Sequence, residues 1–183
     1  STWIGPSDVL AGLTGRSSVA VNTVIRSVRL PRAILAALVG AGLGASGAAL
    51  QGFTRNPLAA PGLLGFSACA ALGAVLALYF NLPALITPAA IAFALIGAFA
   101  MTLFSRRKPG ASGLVLAGIG IGALATAMTG LAMNLAPNPW ALSELVYWLM
   151  GSLKNADNMD VLIAGPLTLA GVGFLMFSGP ALR

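Results

Sequence analysis

Five apolar runs, each about as long as a membrane-spanning helix, restrict what this chain can fold into. They extend over residues 33–53, 62–80, 84–104, 113–135 and about 159–178. A helix needs about 20 mostly apolar residues to cross the hydrocarbon core of a bilayer, where its backbone polar groups must be satisfied internally. The sequence therefore predicts an all-α fold, a polytopic transmembrane helix bundle with about five spans.

Composition and charge exclude several functional classes. Of the 183 residues 58% are hydrophobic and 8% are charged, against about 25% charged in ordinary soluble domains. The ten basic residues outnumber the four acidic ones, but they are scattered and not interleaved with aromatic residues, so nucleic acid is not an expected partner. With no histidine and one cysteine, Cys69, inside an apolar run, we expect no metal site, disulfide or cofactor.

The connecting segments suggest a simple organisation. We interpret residues 1–28 as an extracytoplasmic loop containing a short helix, and residues 29–183 as a transmembrane domain. Residues 140–153 are too short and too polar to cross a membrane. Their aromatic residues Trp140, Tyr147 and Trp148 predict a helix that lies at the membrane interface.

The basic residues indicate an orientation without deciding it. Arg106-Arg107-Lys108 is the densest basic cluster in a short loop, which favours a cytoplasmic location. Alternation of the five runs then divides the remaining cations into two inside and five outside: Arg55 and Arg183, then Arg16, Arg26, Arg29, Arg32 and Lys154. Each side holds five, so the outer cations require another explanation.

Arg29 and Arg32 flank Leu30-Pro31 just before the first apolar run. Proline is typical of a first helical turn, which would place both arginines near the positive end of the helix dipole. That position is unfavourable by about 0.3–1 kcal/mol. An acidic partner outside the membrane would explain them, and so would snorkelling interfacial anchors; the residue types leave both open.

Small and polar residues mark further features of the runs. The pairs Gly40-xxx-Gly44 and Gly118-xxx-Gly122 predict close helix packing, with a glycine-lined passage as the alternative. Asn56-Pro57 predicts a turn at the far end of the first run.

Chemistry within the membrane is not expected. The interiors of runs two to five lack charged residues, which argues against transport driven by an intramembrane acid. The sequence has no P-loop for ATP hydrolysis, and no nucleophile with a base and an orienting group can be assembled. We therefore expect no catalytic residues and no enzyme activity.

Three ordered strings carry a family resemblance. Residues 29–78 read RLPRAILAALVGAGLGASGAALQGFTRNPLAAPGLLGFSACAALGAVLAL, followed by SGLVLAGIGIGALATAMT from Ser112 and LVYWLMGSL from Leu145. Together they closely resemble the permease subunits of binding-protein-dependent ABC importers for iron-siderophores, haem and vitamin B12, the FecCD or BtuC-like family.

The resemblance implies a permease in the bacterial inner membrane with about ten helices, of which this chain would cover about helices two to six. It also implies a second permease subunit, two cytoplasmic ATPase subunits, an extracytoplasmic binding protein and a metal-chelate substrate, besides membrane lipid. Arg29 and Arg32 correspond to arginines that meet acidic residues of the binding protein. Gly110, Ala111 and Ser112 correspond to the loop that narrows the pathway at its cytoplasmic end.

Two functional hypotheses from different classes follow. The first is the transmembrane permease subunit of an ABC importer for an iron-siderophore, haem or cobalamin. The second is a structural or assembly membrane subunit without a translocation pathway, in which the glycine-rich helices serve packing alone.

Overall fold

The computed structural model describes residues 5–106, 110–136 and 138–178, and every regular element within these ranges is helical. The all-α prediction is thus confirmed for this part of the chain. The α-helices, in chain order, are α1 (Pro6–Leu13), α2 (Val19–Thr23), α3 (Leu30–Thr54), α4 (Phe66–Tyr79), α5 (Ile86–Ser105), α6 (Ala111–Asn134), α7 (Pro139–Met150) and α8 (Asn158–Ser178). Two 3₁₀ turns, Pro61–Leu64 and Pro83–Leu85, precede α4 and α5.

Among the described residues, four helical segments are long and apolar enough to cross a membrane. They are Val19–Thr54, Pro83–Ser105, Ala111–Asn134 and Asn158–Ser178. The second apolar run is shorter than predicted, because Gly65 takes a left-handed conformation with φ of 71° that separates the 3₁₀ turn from α4. The resulting α4 has 14 residues, so the expectation of five membrane-length helices is corrected to four plus one shorter helix.

The helix at the arginine pair begins earlier than the sequence indicates. It starts at Val19, passes through a π-helical segment, Val24–Arg29, and continues as α3. The prediction that Pro31 opens a helix is therefore wrong, and so is the dipole argument for the arginines. Inside an α-helix a proline ring clashes with the carbonyl four residues back. The wider π segment directly before Pro31, in which the Leu30 N–H donates to the Ile25 carbonyl, accommodates it.

The chain divides into two compact units. Unit 1 contains the residues up to Ala49 and those from Ser152 onward, and unit 2 contains Leu50–Gly151. In unit 1, Ile25 is buried and contacts Gly12 of α1, where an added Cβ would lie 2.3 Å from the Ile25 Cδ1. Helices α3 and α8 approach at Gly42, where a Cβ would lie 3.4 Å from the Thr168 Cγ2.

The core of unit 2 is built around α4. One buried cluster joins α4 to α6 through Cys69, Leu72 and Ala125, as expected for a small packed cysteine. A second cluster joins α4, α6 and α7 through the buried side chains of Val75, Ala132 and Leu145. The 14 residues of α4 are thus packed against α5, α6 and α7 within unit 2.

Helix α7 confirms the predicted short helix after the fourth apolar run, at 12 residues. One face packs on the core through Leu145, which is 2% exposed, whereas Trp140 and Tyr147 are 85% and 74% exposed. The division into a packed and an open aromatic face is compatible with an interfacial helix. The interfacial location itself stays a prediction.

Tyr79 fastens the end of α4 to the end of α6, since its hydroxyl donates a 3.0 Å hydrogen bond to the Leu135 carbonyl. We expect Tyr79→Phe to lower the free energy of unfolding by about 0.5–1.5 kcal/mol, the usual net value of such a bond. Denaturant titration of the purified protein in detergent micelles measures the change. Tyr147→Phe is the matched control at an exposed hydroxyl, and an equal loss in both variants would contradict the assigned bond.

Candidate functional site

The turn that follows α3 is built by its own side chains. The Asn56 Oδ1 accepts the Leu58 N–H at 2.9 Å, which is the turn geometry that asparagine before proline favours. The Gln51 Nε2 donates to the Pro57 carbonyl at 3.0 Å. Arg55 takes a positive φ of 50°, so the chain reverses sharply between the end of α3 and the 3₁₀ turn that precedes α4.

This turn and the start of α6 line a cavity of about 370 Å³ within unit 2, which is open on one side. We call it the α3–α6 cavity. Its lining comes from the end of α3 and the turn after it, the 3₁₀ turn, and the first turns of α6: Thr54, Asn56, Ala59, Leu63, Ala111, Ser112, Val115, Leu116 and Ile119. The polar side chains of this lining are neutral. Such a surface offers a solute weak, uncharged contacts and no group for acid or base chemistry.

Two of the three predicted gate residues lie in this cavity. Ala111 and Ser112 belong to the lining, at the first residues of α6. Gly110 precedes them as the N-cap with φ of 113°, a conformation that favours glycine. Sequence reasoning treated Asn56 as a structural turn only. The alternating direction of the apolar runs puts the end of the first run and the start of the fourth on the same side of the membrane. That alternation was the signal that could have placed Asn56 near Ala111 and Ser112.

The two glycine pairs have different surroundings. At Gly118, an added Cβ would lie 2.8 Å from the Leu64 Cα, and at Gly122 it would lie 3.0 Å from the Gly65 Cα. These two glycines let α6 approach the 3₁₀ turn at backbone distance, directly beside the α3–α6 cavity. Gly40 and Gly44 are exposed, and a Cβ on either would meet no described atom within 4 Å.

The outer arginines divide into different environments within unit 1. Arg26 binds the end of α1, with its Nε 3.2 Å from the Gly12 carbonyl and an Nη 2.8 Å from the Leu13 carbonyl. Since the last carbonyls of a helix lack intrahelical partners, Arg26 caps α1. Sequence analysis did not distinguish this arginine from its neighbours.

Arg29 and Arg32, with the residues that contact them, form what we call the arginine surface. Arg29 ends the π segment and is exposed, and among the described residues its side chain has no hydrogen-bond or ion-pair partner. Arg32 is half-buried and donates from an Nη to the Lys154 carbonyl. The arginine surface thus joins the start of α3 to the loop before α8.

The described ranges contain no group of three or more His, Cys, Asp or Glu side chains that could hold a metal ion. Three cations used for the orientation argument, Arg107, Lys108 and Arg183, lie outside the described residues. The residues that sequence analysis singled out for function thus lie in two places: Ala111 and Ser112 line the neutral α3–α6 cavity of unit 2, and Arg29 and Arg32 belong to the arginine surface of unit 1.

Comparison with known proteins gives consistent results. The model of the FecCD transport family matches residues 1–183. The chain is 39% identical over 163 residues to the cobalamin import system permease protein BtuC of Halobacterium salinarum, covering 85% of this chain and 42% of that protein. It is 36% identical over 159 residues to the vitamin B12 import system permease protein BtuC of Salmonella paratyphi A, covering 85% of this chain and 46% of that protein.

A solved structure shares the fold. It is described as an inward-facing conformation of a metal-chelate type ABC transporter, and its chain is 28% identical to this one with a TM-score of 0.84. The match covers 96% of this chain and 59% of the other. This chain therefore spans about half the length of the relatives that it matches.

The matches extend along the whole chain, in family model and in fold, and they agree with the four apolar helices of membrane length. They identify a multi-pass protein of the cell (inner) membrane. The chain belongs to the FecCD transport family.

Proposed function

We propose that this chain forms part of the membrane permease of an ABC importer that translocates a metal chelate: an iron-siderophore, haem or cobalamin. The observation that carries the proposal is the family match over residues 1–183. Relatives named for cobalamin or vitamin B12 import and a structural neighbour described as a metal-chelate transporter support the substrate class. Separate ATPase subunits would supply the energy, so the permease itself would not be an enzyme.

The α3–α6 cavity suits a gate more than a binding site. Its neutral lining, with Asn56 on the turn after α3 and Ala111 and Ser112 at the start of α6, offers no charge that would trap a chelate. We assign Gly110, Ala111 and Ser112 to the cytoplasmic end of the pathway. A turn and a helix start that can separate or close would alternate access, and the ATPase subunits would bias the two states.

The partners in this proposal are a second permease subunit, two cytoplasmic ATPase subunits and an extracytoplasmic binding protein. Residues 1–28 would lie outside the cytoplasm, and residues 29–183 would belong to the transmembrane domain. The arginine surface would receive an acidic face of the binding protein. Opposite charges at such a surface fix orientation and raise the association rate.

Copurification tests the proposal against an assembly subunit without a pathway. The full-length permease that contains this chain is purified with its ATPase subunits and reconstituted in nanodiscs. We expect ATP hydrolysis to rise when the chelate-loaded binding protein is added, because docking would favour the hydrolysing state. A stable complex whose rate of ATP hydrolysis does not change when the loaded binding protein is added would favour the assembly role instead.

Reversing the charge of the arginine surface should weaken docking. For the double variant Arg29→Glu, Arg32→Glu we expect the dissociation constant of the binding protein to rise about tenfold or more, that is about 1.4 kcal/mol or more. The loss should shrink at high ionic strength, because salt screens exposed charges. Arg16→Glu, at another exposed arginine, is the control. Equal docking of the double variant and the control at every salt concentration would refute the assigned role.

A further inference from the structure

The arginine surface includes a residue that lies 122 positions further along the chain. Arg32 donates to the backbone carbonyl of Lys154, and both residues belong to unit 1. Arg32 is half-buried, whereas Lys154 is exposed. The arginine therefore holds the main chain at Lys154 and leaves the lysine residue exposed.

The loop that carries Lys154 is ordered by its own hydrogen bonds. The Ser152 Oγ accepts the Lys154 N–H at 3.0 Å, and the Ala156 N–H donates to the Leu153 carbonyl at 3.1 Å. These bonds lie on either side of the point that Arg32 holds. The main chain of Lys154 thus sits on a positioned turn beside the start of α3.

Two nearby acids do not neutralise this charge by pairing. The Asp160 Oδ2 accepts the Asp157 N–H, and the Asp157 Oδ1 accepts the Asp160 N–H, both at 3.0 Å. Both carboxylates are thus engaged with the first turn of α8, where the helix dipole favours negative charge. Within residues 5–106, 110–136 and 138–178, Arg29, Arg32 and Lys154 make no ion pair with an acidic side chain.

We infer that Lys154 is a further docking cation for the acidic face of the binding protein, and that Arg32 is a positioning residue that places it. The inference rests on the proposed function, and it assigns different roles to the residues of the arginine surface. Arg29 and Lys154 supply exposed charge, whereas Arg32 is half-buried and one of its Nη atoms donates to a backbone carbonyl. A fixed loop favours a protein partner, since anionic lipid headgroups can follow a mobile cation and need no fixed geometry.

Binding measurements on the full-length transporter in nanodiscs test the inference. The variants are Lys154→Gln, Lys154→Arg, Arg32→Gln and the double variant Arg32→Gln, Lys154→Gln, with Arg16→Gln as control. We expect Lys154→Gln to raise the dissociation constant of the binding protein about three- to tenfold and to reduce its salt dependence. Lys154→Arg should retain wild-type binding. The double variant should bind within about twofold of Arg32→Gln alone, since coupled residues are not additive.

The outcomes separate this inference from the proposal on which it rests. If the wild-type transporter fails to bind the binding protein, the proposed function is wrong. If the wild type binds and Lys154→Gln matches the Arg16→Gln control, the role of Lys154 is overturned. Additive losses in the double variant would overturn the positioning role of Arg32. A Lys154→Gln effect that disappears in nanodiscs without anionic lipid would assign the lysine to headgroups and contradict the inference.

Discussion

Gly118→Ala is expected to destabilise this protein by about 1–3 kcal/mol, the usual cost of forcing extra volume into a packed site. Gly120→Ala, two residues along the same helix, is expected to be neutral or slightly stabilising. The reason lies in what the new methyl group meets. At Gly118 it would lie 2.8 Å from the Leu64 Cα and 3.0 Å from the Leu63 carbonyl oxygen, whereas at Gly120 it would meet no described atom within 4 Å.

Backbone atoms cannot rotate away as side chains do, so α6 and the 3₁₀ turn would have to separate. Alanine at Gly120 gains about 0.5–1 kcal/mol of helix propensity over glycine, with no contact to offset it. Thermal unfolding of the two variants in detergent, followed by tryptophan fluorescence, measures the contrast. Equal midpoints for Gly118→Ala and Gly120→Ala would mean that α6 does not rest on the turn as described.

Ser112→Trp is expected to reduce chelate transport at least about tenfold while leaving assembly intact. Ser112 is exposed to solvent yet lines the α3–α6 cavity of about 370 Å³. An indole there would fill much of that cavity without disturbing the buried core. Because the lining is the proposed cytoplasmic end of the pathway, the block should act on passage and not on folding.

The measurement is uptake of labelled chelate by proteoliposomes that contain the complete transporter, alongside its ATP hydrolysis. Thr102→Trp serves as control, since Thr102 is exposed in the last turn of α5 and is absent from the cavity lining. We expect hydrolysis to persist in Ser112→Trp when uptake is lost. Wild-type uptake in Ser112→Trp would remove the cavity from the pathway.

The lengths of the apolar runs were sufficient to predict most of the long helices but not the residues at which they begin and end. The third, fourth and fifth apolar runs became α5, α6 and α8 with small shifts of their boundaries. The thickness of the bilayer requires about 20 apolar residues in each spanning helix, and runs of that length are visible in the sequence. The π segment before Pro31 was not predictable, since an interior proline usually breaks a helix. The π segment also carries Ile25, which is 2% exposed and lies against Gly12 of α1, a tertiary contact that the sequence does not reveal.

Identical motifs also proved ambiguous. Gly40-xxx-Gly44 and Gly118-xxx-Gly122 have the same spacing, yet only the second pair lies at backbone distance from another segment among the described residues. A pattern of small residues indicates that another segment can approach the helix closely, but it does not indicate which segment does so. The same limit applies to the hydrogen bond from Arg32 to the Lys154 carbonyl. Every residue has a backbone carbonyl, so the residue type does not indicate which one accepts the bond.

The candidate gate came from resemblance and not from chemistry. Ala111 has no reactive group and Ser112 only a hydroxyl, so residue types alone would not have selected them. Their place in a cavity with Asn56 depends on where the end of α3 meets the start of α6. That arrangement follows from the packing of α6 on α4 and the turn before it, which no local pattern specifies.

Transport by the complete assembly tests the central claim most directly. The full-length permease containing this chain is reconstituted in liposomes with its ATPase subunits, and ferric siderophore, haem or cobalamin is offered together with the binding protein outside. The account predicts ATP-dependent accumulation of one of these chelates, and none when either the binding protein or ATP is omitted. An assembled complex that hydrolyses ATP but accumulates none of the three chelates would contradict it.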